Sequence, residues 1–388
     1  MNKDYIHSKG QYFTKNIFLK SSLYKLILNN PSTILEPSIG RGDLVEYINS
    51  MNNSIKFDMY EIDNTIKLLS SINKDNINYG DFLEYEIENK YDTIIGNPPY
   101  VKTKKGCNLY IKFIEKSYKL LNTNGELIFI VPSDFIKLTS SSKIINKMMK
   151  DGTFTHIIHP HNETLFDNAN IDVIIFRYCK NNSLSNKILV NNDEKYLINS
   201  NGILTFSDKE QNNMKLFSEY FDIYVGIVSG KEEVFKNTKY GNIEVLNDKN
   251  KVNKYILLDK FPCDNNEINE YMVSNKSTLI NRKIRKFTEK NWYEWGALRN
   301  YKTITNNIGK ECIYINNITR KDEVCFKDKV QYFGGGLIIM IPKKKINIDK
   351  IVKYINSITF KTNYMYSGRF KIGHRQLTNC LFNHSEFI

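Results

Sequence analysis

The tetrapeptide Asn97-Pro98-Pro99-Tyr100 directly follows an apolar run, Tyr91-Asp92-Thr93-Ile94-Ile95-Gly96. A polar amide followed by two prolines suits neither a continuing strand nor a helix start, so packing alone explains these residue types poorly. Chemistry explains them better. The exocyclic amine of an aromatic base is a poor nucleophile, because its lone pair is delocalised into the ring. If the side-chain oxygen of Asn97 and the carbonyl of Pro98 accept its two protons, the nitrogen pyramidalises and aims its lone pair at an electrophilic methyl group. A rigid Pro-Pro segment pre-organises the two acceptors, so the catalysis is one of positioning and electrostatics rather than general base. Tyr100 then offers a ring to replace the stacking that an everted base has lost.

Three other clusters carry weaker signals. In Ile34-Leu35-Glu36-Pro37-Ser38-Ile39-Gly40-Arg41-Gly42-Asp43 a strand runs into a glycine turn and then a helix, and the glycines supply positive φ and close backbone approach to a ligand. Glu61, after Phe57-Asp58-Met59-Tyr60, is an acid at the next strand end, suited to a ribose diol. In Gly80-Asp81-Phe82-Leu83 the Asp suits an adenine amino group and the Phe suits the ring. Each, taken alone, is equally an ordinary turn, a surface acid or a packed aromatic.

The elements that must position these residues alternate from Thr33 to about Phe176. Strand candidates are Thr33 to Leu35, Ile55 to Tyr60, Thr93 to Ile95, Leu127 to Val131, Thr155 to His159 and Asp172 to Phe176. Leu44 to Met51, Leu109 to Leu121 and Lys143 to Met149 carry helical spacing. The alternation predicts an α/β fold with a doubly wound, mostly parallel sheet, whose ligands bind beyond the carboxyl ends of the strands. The residues after Leu35, Tyr60 and Ile95 fall at such ends.

These motifs, in this order, resemble the gamma-class DNA adenine-N6 methyltransferases, the TaqI-like methylases of restriction-modification systems. Gly10-Gln11-Tyr12-Phe13-Thr14 is similar to the N-terminal motif of that class, Asn108-Leu109-Tyr110 with Phe113 and Glu115 to the segment completing the adenine pocket, and Val131-Pro132-Ser133 to a further strand end. The resemblance implies a Rossmann-like catalytic domain that binds S-adenosylmethionine. Tyr12, Thr14, Glu36, Ser38 and Gly40 would border its methionine part, and Glu61, Asp81, Phe82 and Phe113 its adenosine, with Asn97 between cofactor and base. It further implies that Asn97, Pro98 and Tyr100 are catalytic, and that Phe166 in Thr164-Leu165-Phe166-Asp167 faces Tyr100 across a flipped adenine. Lys15 stands where the family often has proline and Leu44 where it often has phenylalanine.

Composition fits this division of labour. The 388 residues carry a formal net charge of +13, with 22 Lys and Arg against 20 Asp and Glu over residues 1–180 and 33 against 22 beyond. A half that performs chemistry and a basic half that grips phosphates is the pattern expected of a nucleic-acid enzyme. We therefore expect a catalytic domain over 1–185, a linker over 186–214 and a basic α+β target-recognition domain over 215–388. In the second half Val225 to Gly230 and Gly368 to Arg375 resemble segments of such a domain, and Arg282 to Lys286 and Trp292 to Trp295 interleave cations and aromatics. Arg282, Arg285, Arg299, Arg369 and Arg375 are the candidate DNA contacts.

The six cysteines show no C-x-x-C pair, His156, His159 and His161 lack a further ligand at suitable spacing, and methyl transfer from a sulfonium needs no Lewis acid, so no metal is expected. The N-terminal residues lack a signal-peptide core and no segment approaches the ~20 apolar residues of a membrane span, so the expectation is a cytoplasmic monomer acting on double-stranded DNA. The resemblance leaves a cognate restriction endonuclease open as a further partner. Two other readings stand beside this one: a methyltransferase of ribosomal RNA or of protein glutamine, which also use Asn-Pro-Pro-Tyr, and a catalytically silent DNA-binding protein.

Overall fold

A computed structural model describes residues 12–103, 106–167, 169–181 and 185–388. The chain divides into two compact units, one of residues 1–211 with 366–368 and one of 212–365 with 369–388.

The first unit is built on ten strands: β1 (Thr33–Glu36), β2 (Lys56–Glu61), β3 (Ile77–Tyr79), β4 (Tyr91–Gly96), β5 (Leu121–Pro132), β6 (Gly152–Ile158), β7 (Val173–Lys180), β8 (Lys187–Val190), β9 (Asp193–Ser200) and β10 (Ile203–Ser207). They pair in the order β10-β9-β8-β6-β7-β5-β4-β1-β2-β3. Pairing is parallel from β3 through β5, and β7 runs antiparallel to both β5 and β6. The reversal has a local cause. Among the described residues no helix lies between β6 and β7, and without a crossover the chain returns antiparallel. The mostly parallel doubly wound sheet expected from the sequence is present.

The central strands are mainly apolar because helices cover both faces. In β7, Val173 to Cys179 are all buried. Helices α1 (Ile17–Lys25), α2 (Asp43–Met51), α3 (Leu109–Leu120) and α4 (Ser142–Asp151) present amphipathic faces to the sheet. In α3, Tyr110, Ile111, Phe113, Ile114, Ser117 and Tyr118 face inward. A buried ion pair joins β5 to β7: Arg177 Nε donates to Glu126 Oε2 at 2.7 Å, and Glu126 also accepts from Thr93 and from the amides of Leu28 and Asn29.

Residues 187–207 correct the expected linker. They form β8 to β10 and extend the same sheet, although the β-α alternation has stopped. An edge meander needs only one apolar face, and here Ile188, Leu197 and Leu204 supply it.

The second unit is α+β. Its main sheet has four antiparallel strands in the order 221–225, 337–342, 311–316, 325–329. A hairpin pairs 243–248 with 251–255. Trp292 and Trp295, read as part of an interleaved basic surface, are each 3% exposed, and Trp295 Nε1 donates to the Ile256 carbonyl at 2.8 Å. They pack the core.

Candidate active site

The carboxyl ends of β1, β2 and β4 open onto a cavity of about 300 Å³. All ten residues expected around the cofactor line it, drawn from segments as distant as Tyr12 and Phe113. The turn after β1 needs its glycines. Gly42 caps α2 with φ +92°, and a Cβ there would lie 2.4 Å from Ile72 Cγ1.

Four carboxylates, Glu36, Asp43, Glu61 and Asp81, line this cavity. Glu36, 1% exposed, accepts the Ser38 amide at 3.1 Å. Burial pushes its carboxyl up to about 8, with the nearby Glu61 adding to the rise. Gly96 makes room for it, since a Cβ there would come within 3.0 Å of Glu36 Oε1. Glu61 accepts from the amides of Gly40 at 2.8 Å and Asp63 at 3.0 Å, and burial raises its pKa too. Asp81 Oδ1 accepts the Leu83 amide at 2.9 Å. Phe82 and Phe113 stack with centroids 5.5 Å apart. The Ser38 hydroxyl is buried beside the cavity, with no partner in hydrogen-bonding geometry among the described residues. An orphaned donor beside clustered carboxylates matches a ligand that carries both cationic and acceptor groups.

Asn97 sits at the edge of the same cavity, and its side chain is fixed from the N-terminal segment. Nδ2 donates to the Tyr12 carbonyl at 2.7 Å and to Thr14 Oγ1 at 3.0 Å. Those two bonds assign which end of the amide is oxygen. Oδ1 accepts from the Tyr100 hydroxyl, and an amide oxygen retains a second lone pair. Among the described residues no backbone amide donates to the Pro98 carbonyl. Burial holds the Tyr100 phenol well above its usual pKa, so it remains a donor.

The aromatic pair differs from expectation. The rings of Tyr100 and Phe166 lie 6.3 Å apart at 82°, so they do not form two parallel faces. Phe166 is 4% exposed and packs among Leu19, Val173 and Ile175 in the apolar core, while the ring of Tyr12 stacks on Tyr100.

Several lining residues carried no separate sequence signal. Asp43 and Leu109 fall inside motifs whose signal comes from their neighbours, and Pro99 adjoins Asn97. Ile62 and Ile66 are isolated apolar residues in a polar loop, and nothing in their spacing marks them. Gly10 and Gln11 lie outside the described residues.

The candidate DNA contacts separate into kinds. Arg282 is corrected outright: it is 7% exposed, and its guanidinium donates to the carbonyls of Leu279, Ser229, Trp292 and Glu294 while lying 3.8 Å from the Phe287 ring centroid. It is a core staple, and burial lowers its pKa to about 10. Arg285 is exposed but paired with Glu294 at 2.6 Å. Arg299 is exposed, and Arg369 and Arg375 are half-buried. Among the described residues no group of three His, Cys, Asp or Glu side chains is placed to hold a metal. His159 instead pairs with Asp172 at 2.8 Å, and Asp172 accepts from Ser133 Oγ at 2.6 Å.

The sheet and its cavity define an S-adenosylmethionine-dependent methyltransferase fold. Residues 14–166, within the first unit, match the Eco57I restriction-modification methylase family. The chain is 29% identical over 217 residues to the Type II methyltransferase M.HincII of Haemophilus influenzae, covering 50% of this chain and 42% of that relative. It is 29% identical over 285 residues to the Type II methyltransferase M.AccI of Acinetobacter calcoaceticus, covering 58% and 52%. The matched part therefore spans about half the length of these relatives or less. In fold, the chain is similar to the Type IIL restriction-modification enzyme MmeI solved in complex with DNA, with a TM-score of 0.58 over 94% of this chain and 63% of that one, at 10% identity.

Proposed function

We propose that this protein transfers a methyl group from S-adenosylmethionine to N6 of an adenine flipped out of double-stranded DNA. The observation that carries the reading is the fixed amide of Asn97. With Nδ2 tied to Tyr12 and Thr14, Oδ1 is an oriented acceptor, and the Pro98 carbonyl next to it has no amide donor among the described residues. Two acceptors on one rigid segment suit the two protons of an exocyclic amine, and they cost no reorganisation when the amine attacks.

The cofactor, when bound, supplies an electrophilic sulfonium methyl. Glu61 suits its ribose diol, and Asp81, Phe82 and Phe113 suit its adenine. Glu36, Ser38, Gly40, Tyr12 and Thr14 suit its methionine part, where a buried carboxylate and an orphaned hydroxyl complement a zwitterion. Tyr100 offers the stacking face for the base, and Phe166 becomes a second face once the slot opens. No metal takes part in this scheme.

The second unit would grip the duplex. Residues beyond 180 hold 33 Lys and Arg against 22 Asp and Glu, and Arg299, Arg369, Arg375 and Arg285 remain the candidate contacts. The match to a restriction-modification methylase family extends the proposal to a modification enzyme paired with a restriction endonuclease, and we propose that it works as a monomer in the cytoplasm. Among the described residues no helix is long and apolar enough to cross a membrane.

The test is transfer of tritium from methyl-labelled cofactor to plasmid DNA, ribosomal RNA and protein, followed by nucleoside analysis. N6-methyladenine in DNA is expected. Label in RNA or glutamine, N4-methylcytosine in DNA, or binding without any transfer would each replace this reading.

A further inference from the structure

We infer that the side chain of Tyr12 is a placeholder for the target base, stacked on Tyr100 until an everted adenine displaces it. The inference rests on the reading that this protein flips a base toward Asn97. The Tyr12 and Tyr100 rings lie 5.4 Å apart, centroid to centroid, with their planes at 26°, an offset stack. Tyr12 also packs on Phe166 at 5.9 Å. Its ring therefore lies against both aromatics expected to hold the base, and those two rings stand nearly perpendicular to one another.

Tyr12 divides its work between two groups. Its carbonyl accepts from Asn97 Nδ2 at 2.7 Å and so belongs to the acceptor machinery. Its ring plays no part in that bond and occupies the face of Tyr100. An apolar slot left open would fill with water or collapse, whereas a tyrosine from the same chain keeps Tyr100 presented and exchanges one stacking partner for another. The exchange is a competition: whatever stabilises the Tyr12–Tyr100 stack opposes base insertion.

The experiment uses a duplex with 2-aminopurine at the methylated adenine, whose position is first read by single-molecule sequencing of plasmid treated with the wild-type protein. Absence of any methylated adenine at that stage fails the functional reading, separately from the emission that follows. Emission is measured without cofactor for wild type, Tyr12→Phe, Tyr12→Ala and Tyr12→Leu, with calorimetric binding of S-adenosylhomocysteine in parallel. Loss of one aromatic stack corresponds to a rise of about two- to tenfold in the everted population. Tyr12→Ala and Tyr12→Leu should show that rise while Tyr12→Phe stays at the wild-type level. Equal or lower emission in a variant that still binds S-adenosylhomocysteine overturns the inference. Tyr12 borders the cofactor cavity through its main chain on this view, so loss of that binding in both Ala and Leu variants overturns it too, since the ring itself would then hold the cofactor.

Discussion

Asn97 and Tyr12, 85 residues apart in sequence, are joined by a 2.7 Å hydrogen bond from the side-chain amide of one to the main-chain carbonyl of the other. The bond ties the strand-end tetrapeptide to the N-terminal segment, and with Thr14 it decides which way the Asn97 oxygen faces. A carboxylate in its place would set two acceptors against each other. An alanine would remove the oriented oxygen altogether.

Asn97→Ala is therefore expected to lower methyl transfer by about 10²-fold or more, the usual cost of a lost oriented group, while cofactor affinity changes little. Asn97→Asp should also lose activity, because a carboxylate cannot donate to the Tyr12 carbonyl. Single-turnover methylation and calorimetry on the same preparations separate the two effects. A loss of cofactor binding as deep as the loss of turnover would remove Asn97 from the role assigned.

Glu36 gives a pH signature whose sign is fixed by its burial. Its carboxyl is pushed up to about 8 from an unfolded value near 4.5, so between those values the unfolded chain has released a proton that the folded chain keeps. Its contribution to stability is complete below 4.5 and is lost as pH rises through 8, at up to about 1.4 kcal/mol per pH unit. Denaturant unfolding of the cofactor-free protein should give a smaller difference between pH 5.5 and 7.5 for Glu36→Gln than for wild type. A cationic ligand favours the ionised form, so S-adenosylmethionine affinity should instead rise with pH toward 8 and release a proton, detectable as buffer-dependent binding heat. A flat affinity profile in the wild type would exclude Glu36 from the cofactor's charged end.

Much of the first unit was legible because its signals are local. Asn97 to Tyr100, the glycine turn, Glu61 and Asp81 each end a strand, and strand ends in a parallel sheet converge on one edge. β8 to β10 were not legible, since three short strands joined by asparagine turns break the β-α alternation that marks the rest of the sheet. The second unit was opaque for a related reason: basic and aromatic residues have the same composition whether they form a surface or a core. Arg282 looked like a surface cation beside Lys283 and Arg285, yet four main-chain carbonyls claim its guanidinium. Only the three-dimensional arrangement distinguishes these cases. The Tyr12 ring against Tyr100 is likewise a contact between residues 88 apart that no spacing rule foretells.

The buried pair of Arg177 and Glu126 predicts a stability effect with no direct effect on chemistry. Arg177 also donates to Thr155 Oγ1 at 2.9 Å and to Asn29 Oδ1 at 3.3 Å, so it links β6, β7 and the turn after α1. Arg177→Met would leave a fully buried carboxylate without its cation and is expected to cost about 3–5 kcal/mol. Adding Glu126→Gln, which removes the charge and keeps an acceptor for Thr93 and the amides of Leu28 and Asn29, should recover much of that loss. Urea unfolding of the single and double variants measures it, and a double variant no more stable than the single would show that the Glu126 charge is not the source of the penalty.

Arg282 and Arg299 should fail in opposite ways when changed to alanine. Arg282→Ala removes the partner of four carbonyls and empties a site packed on Phe287 and Phe235, so the second unit should lose about 3 kcal/mol or more and unfold earlier on heating. Its folded fraction should bind DNA with an unchanged salt dependence, because a buried guanidinium releases no counterion. Arg299 is exposed and tied by no described bond, so Arg299→Ala should leave the melting temperature within about 1 °C. If it meets a phosphate, its loss should lower the slope of log affinity against log salt by about one. A reduced slope for Arg282→Ala would contradict its buried role, whereas an unchanged slope for Arg299→Ala would move the duplex contact away from Arg299 and toward Arg369 and Arg375.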